Sequence, residues 1–210
     1  MANFFKNGTL YIIEDLEATQ PNYFIADLKD FIFSYNPETN TDKTLRITGP
    51  YDIKGPNVLD IFINSYGGDI KTYSSIEFLI NMARSKGIII RTTVTGVAST
   101  TASALAVQGT PGFRIMGYES YHFIPHVMET EPVGFIKKKD EEDYFCSLDL
   151  TQKQFDNLIV NYLRHTKITK RQLNALIKNE RLDSIKSLKY GFCDWILSPE
   201  GYVICEAKQK

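Results

Sequence analysis

The chain has 210 residues, 24 basic and 25 acidic side chains and a formal net charge of −1; 43% of residues are hydrophobic and 23% charged. These values exclude a disordered chain, a collagen-like chain and a strongly basic nucleic-acid binder. No apolar run reaches the roughly 18 residues of a membrane span. In chain order, Thr9 to Glu17 (TLYIIEDLE) starts as a strand, and Asn22 to Tyr35 carries Phe24, Ile25, Leu28, Phe31 and Ile32 at helical spacing. Residues 36–57 hold Pro37, Pro50, Pro56 and the polar tract PETNTDK, and read as a surface excursion with one small strand, TLRITG. Val58 to Asn64 (VLDIFIN) is a buried-strand pattern. The turn Ser65-Tyr66-Gly67-Gly68 follows, then a helix from Asp69 to Ser85 that Gly87 stops.

Ile88 to Val94 is the next strand, Thr95 to Val97 a turn, and Ser99 to Val107 (STTASALAV) a short helix of small residues. Phe113 to Met116 and Ser120 to Pro125 are two further strands. Asp140 to Arg164 is a long helix pattern, with Leu148, Phe155, Leu158, Ile159 and Tyr162 on one side. Thr169 starts another helix, Asp183 caps a last one (Ser184 to Tyr190) ended by Gly191, and Phe192 to Leu197 closes as a strand. Strands alternating with helices predict a mainly parallel sheet. No linker divides the chain, so one domain over 1–210 is expected. Cys146, Cys193 and Cys205 are scattered, with no CxxC pair, and read as reduced thiols. None of His122, His126 and His165 sits beside a Cys or Asp/Glu at metal-ligand spacing, so neither a metal nor a cofactor is expected. The opening MANFFKNGTLYIIEDLEATQ lacks the pattern of a secretory signal, and a cytoplasmic location is expected.

Two strand–turn–helix junctions carry the chemistry. At Asn64 to Gly68, adjacent glycines let backbone amides converge at a helix start, one way to build an oxyanion hole; a plain tight turn is the simpler alternative. At Gly96 to Ala102 a strand enters a helix through Ser99, Thr100 and Thr101, which can hold a hydroxyl as a nucleophile elbow does or supply an ordinary N-cap.

Taken together these segments resemble the ClpP-type peptidases of the crotonase-like superfamily. DIFINSYGG (Asp60 to Gly68) resembles the family's INSPGG loop with Tyr66 in place of proline. Gly96 to Gly109 resembles GxAASMGxxLxxxG, GTPGFR resembles its GTxGxR turn, and YLRHT and YGFCD resemble the end of its handle helix and its YGLxD close. The resemblance implies an α/β fold, a ββα spiral with a helical handle at 133–175 and an insertion at 36–57. It also implies homo-oligomeric rings or double rings, an AAA+ unfoldase or an active ClpP-like subunit as partner, and polypeptide substrates. Nucleic acid and membrane are not implied.

Reading the family's Ser-His-Asp triad across without gaps puts the nucleophile on Thr100, the histidine on Pro125 and the aspartate on Asn179. All three depart from the family, whereas the oxyanion amides fall on Gly68 and Thr101. His126 is one residue from the base position, and in a regular strand it points to the opposite face; a bulge at Pro125 would bring it back. The expectation is a catalytically impaired subunit, structural or regulatory in a ring. The alternative is an active endopeptidase forming an acyl-enzyme through Thr100 or Ser99, with His126 as base. A thioester enzyme of the same superfamily fits YGFCD and RHT less well. An interaction scaffold would use residues 36–57 and the charged run KKKDEED (Lys137 to Asp143), which otherwise reads as a solvated helix start.

Overall fold

The computed structural model describes residues 3–16, 23–36, 57–124, 153, 156–177 and 181–207. Most of the expected insertion, the front of the long helix and Cys146 lie outside them. The elements in chain order are β1 (Phe4–Lys6), β2 (Thr9–Ile12), α1 (Tyr23–Ser34), β3 (Val58–Ser65), α2 (Ile70–Ser85), β4 (Ile89–Ser99), α3 (Thr100–Ala106), β5 (Arg114–Gly117), β6 (Tyr121–Phe123), α4 (156–165), α5 (Lys170–Leu176), β7 (Arg181–Asp183), α6 (Ser184–Tyr190), β8 (Trp195–Leu197) and β9 (Val203–Glu206).

The sheet runs β1-β2-β3-β4-β5-β8-β9, and β6 pairs with β4 and with β7. Its central contacts, from β2 through β8, are parallel, as the alternating pattern predicts. The antiparallel strands β1, β7 and β9 lie at its margins. On β3, Leu59, Ile61 and Ile63 are fully buried, with Asp60, Phe62 and Asn64 on the more open face. Leu28 and Ile32 of α1 and Ile76 and Ile80 of α2 join the same core.

Local chemistry sets the helix ends. Asp69 accepts from Thr72 N at 2.7 Å, Thr169 and Gln172 form a capping box, and Asp183 accepts from Lys186 N at 2.7 Å. The glycine-rich GTPGFR and YGFCD segments are locked to each other by one buried ion pair. Asp194 takes both Nε (2.9 Å) and Nη2 (2.6 Å) of Arg114, and accepts the amides of Gly112 and Arg114 as well. Arg114 Nη1 reaches the carbonyls of His165 and Gly191, each at 2.6 Å, which ties α4 to the end of α6.

One expectation is corrected. Residues 95–97 do not form a turn; β4 runs on to Ser99. The register explains why: Ile63 pairs with Val94 but Ser65 with Ala98, so a step of two residues on β3 meets a step of four on β4. β4 bulges, and Asn64 Oδ1 fills the gap by accepting Val97 N at 3.0 Å. A second partner then holds the extension, because Val97, Ala98 and Ser99 pair with Tyr121, His122 and Phe123 of β6. No helix among the described residues is long and apolar enough to cross a membrane.

Candidate active site

β4 delivers its last residues between the end of β3 and β6. The chain then turns into α3 at Thr100, whose φ is 46°. For a β-branched residue the left-handed region costs roughly 1–2 kcal/mol, so neighbours must hold it there. The glycine turn closes from the other side. A Cβ on Gly67 would stand 1.7 Å from Thr100 Oγ1 and 2.6 Å from the Ser99 carbonyl.

The turn is pinned at every step. Asp15 Oδ1 accepts Tyr66 N (3.1 Å), Ser65 Oγ accepts Gly67 N (3.0 Å), Leu16 N donates to the Gly67 carbonyl (2.6 Å) and Asp69 N to the Leu16 carbonyl (2.5 Å). The Gly68 amide lies between those taken and outside these bonds. The Thr101 amide lies in the first turn of α3, where amides have no intrahelical partner. Thr100 Oγ1 donates to the Tyr66 carbonyl at 2.7 Å, and Thr101 Oγ1 makes a long contact of 3.4 Å with the Gly68 carbonyl.

Of the expected site residues, the structure brings together Gly68, Thr100 and Thr101. Ser99 is buried and occupies the N-cap position of α3, yet its hydroxyl makes no capping bond. Pro125, His126 and Asn179 lie outside the described residues.

Beneath Thr100 lie two buried polar contacts that nothing in the motifs foretells. Tyr162 of α4 donates its hydroxyl to the Thr100 carbonyl at 3.1 Å. Ser103, one turn along α3, stands 2.9 Å from His122 Nδ1. His122 Nε2 is buried without a hydrogen-bond partner among the described residues. Phe192 packs on both rings, 5.7 Å from Tyr162 and 5.2 Å from His122.

His122 points into the core; strand alternation predicts for a residue three before Pro125 only the face opposite that position. Burial, with the Arg114 charge as a smaller contribution, holds its pKa down to about 3. It is therefore neutral when folded and protonated more readily when unfolded. Its contribution to stability is complete above about pH 6.5 and is lost as pH falls toward 3, by up to roughly 1.4 kcal/mol per pH unit. His165, lowered to about 4 by partial burial and by Arg84, Arg164 and Arg114, acts in the same direction. Urea midpoints measured at pH 7 and pH 5 should fall less for His122→Asn than for the parent chain; an equal fall would refute this account.

The rim is aromatic. Tyr66 is 65% exposed, and the Arg181 guanidinium lies 4.9 Å above the Tyr121 ring.

A strand with a bulged end, a left-handed residue at the helix entrance and a pinned double glycine facing it form one constellation. The Clp protease family model matches residues 53–200, the span that holds β3 to β8 and both junctions. The chain belongs to the Clp protease family. No curated protein matches it at a significant level. Membership bears out the ClpP-type α/β fold expected from DIFINSYGG, GTPGFR and YGFCD. Clp proteases usually assemble as oligomeric rings. Sequence reasoning missed Tyr162, Ser103 and Asp15 as parts of this site. The one available signal was that Tyr162 belongs to the family-like YLRHT segment.

Proposed function

We propose that this Clp-family chain is a ring subunit whose own peptide-cleaving step is impaired, and which serves a structural or regulatory role in a proteolytic assembly. The bond from Thr100 Oγ1 to the Tyr66 carbonyl carries this reading. An attacking hydroxyl must pass its proton to a base about 3 Å away. Here the proton rests on a carbonyl, which cannot take it. The Thr100 methyl stiffens χ1 as well. The inward-facing His122 bonds Ser103 and is kept neutral, and the family's base position holds Pro125. In serine proteases the loss of a triad member costs on the order of 10⁴ to 10⁶ in turnover, and the remaining oxyanion and binding contributions leave roughly 10³ to 10⁴ over water.

A second reading is favoured by the strain at Thr100. A φ of 46° is the conformation an elbow needs to present a nucleophile. On that reading Thr100, or Ser99, attacks the peptide carbonyl, His126 takes the hydroxyl proton and returns it to the amine that leaves as the C–N bond breaks, Asn179 orients the imidazole, and the Gly68 and Thr101 amides hold the oxyanion. The acyl-enzyme is then released by water.

Cleavage of fluorogenic peptides and of an unfolded polypeptide separates the two. The parent chain and Thr100→Ala, Ser99→Ala and His126→Ala are expected to show the same residual rate. Robust cleavage abolished by Thr100→Ala would falsify the impaired reading. The assembly proposed here is a homo-oligomeric ring or double ring, working with an AAA+ unfoldase or an active ClpP-like subunit. A monomer at micromolar concentration in light scattering contradicts it.

A further inference from the structure

Thr100 holds a left-handed backbone that its own side chain disfavours, so something outside the junction must keep it there. The glycine turn supplies one contact, through the Thr100 hydroxyl. The other reaches the backbone itself, from a residue 62 positions further along the chain.

We propose that Tyr162 is a positioning residue: from α4 it clamps the Thr100 carbonyl and thereby holds residue 100 in the conformation that presents its side chain to the glycine turn. The proposal rests on the reading of Thr100 as the family's nucleophile position.

Three observations carry it. The Tyr162 ring is fully buried, so its hydroxyl has no water to turn to. Its ring packs against Phe192, 5.7 Å between centroids, which leaves it little freedom to follow the carbonyl. The carbonyl it grips belongs to the strained residue itself, so its direction is set by the very dihedrals that are unfavourable. With the hydroxyl gone, the Thr100 peptide is free to relax toward a right-handed helical start and the side chain turns away from the Gly67 side. α4 thus sets the geometry of the site without touching a substrate.

The test uses alkylation of a thiol at position 100, which reports geometry whether or not the chain cleaves peptides. Thr100→Cys is prepared alone and with Tyr162→Phe, and the rate constant with iodoacetamide is measured across pH. The expected result is a rate at least about fivefold lower in the double variant, with unchanged far-UV circular dichroism. Equal rates overturn the proposal.

A second measurement holds even where the thiol reacts poorly. Tyr162→Phe should lower Tm less in the parent chain than in Thr100→Gly, because in the parent the lost bond is partly offset by release of the left-handed strain, whereas glycine has no such strain to release. The same loss of Tm in both backgrounds overturns it too. Absence of cleavage by the parent chain bears on the proposed function and leaves these two readouts unchanged.

Discussion

Gly68→Ala is expected to destabilise the folded chain by about 2–6 kcal/mol and to dismantle the turn that faces Thr100. Gly68 has a φ of 125°, where an L residue is strained by about 1–3 kcal/mol. The added Cβ would lie 2.4 Å from the Leu16 carbonyl oxygen and 2.8 Å from the Leu16 nitrogen. Those atoms are backbone, part of the bridge between residues 16 and 68, and cannot rotate aside. Relief requires that the bridge open, which adds roughly the 1–3 kcal/mol of an overpacked site. Gly87→Ala is the matched control. Its φ of 80° is also left-handed, but no atom stands within 4 Å of its Cβ, so only the strain of about 1–2 kcal/mol is expected. Urea unfolding of the two variants measures the difference. Equal losses would show that contact with Leu16 does not constrain the turn.

The second large effect is expected at Asp194. Removing one partner of a buried ion pair costs about 3–5 kcal/mol, because the remaining charge is left uncompensated. In Asp194→Ala the stranded group is Arg114, only 6% exposed, and the amides of Gly112 and Arg114 lose their acceptor too. For a chain of this size that corresponds to a fall in Tm of about 10 °C. The pair also joins β5 to the segment before β8, so the loss is expected to be cooperative rather than local. A melt within a couple of degrees of the parent chain would count against the account.

What could be read from the sequence was set by range. α2 and α6 were legible at both ends because Asp69, Gly87, Asp183 and Gly191 act within one turn of themselves. β3 was legible because its alternation, Leu59, Ile61 and Ile63 against Asp60 and Phe62, is complete within seven residues. β1, β7 and β9 are only three or four residues long and owe their shape to strands elsewhere, so no local pattern announces them. The extension of β4 past Val94 was hidden for the same reason: residues 97–99 are strand because β6 pairs with them.

At the site, the positions of Thr100, Thr101 and Gly68 followed from family-like motifs, whereas strand alternation says of His122 only that it faces away from the position of Pro125. The bond of His122 to Ser103, and the reach of Tyr162 to the Thr100 carbonyl, depend on how α4 lies against α3. No spacing within either segment encodes that.

The doubled partnership of β4 has an evolutionary consequence. Residues 92–94 are gripped by β5 and residues 97–99 by β6, almost wholly through main-chain atoms. The path of the chain into the elbow is therefore indifferent to which hydroxyl or methyl is mounted at its tip. Reactivity can be gained or erased there by single substitutions while the surrounding architecture is inherited intact. A lineage with this arrangement can abandon its reaction long before it abandons its shape.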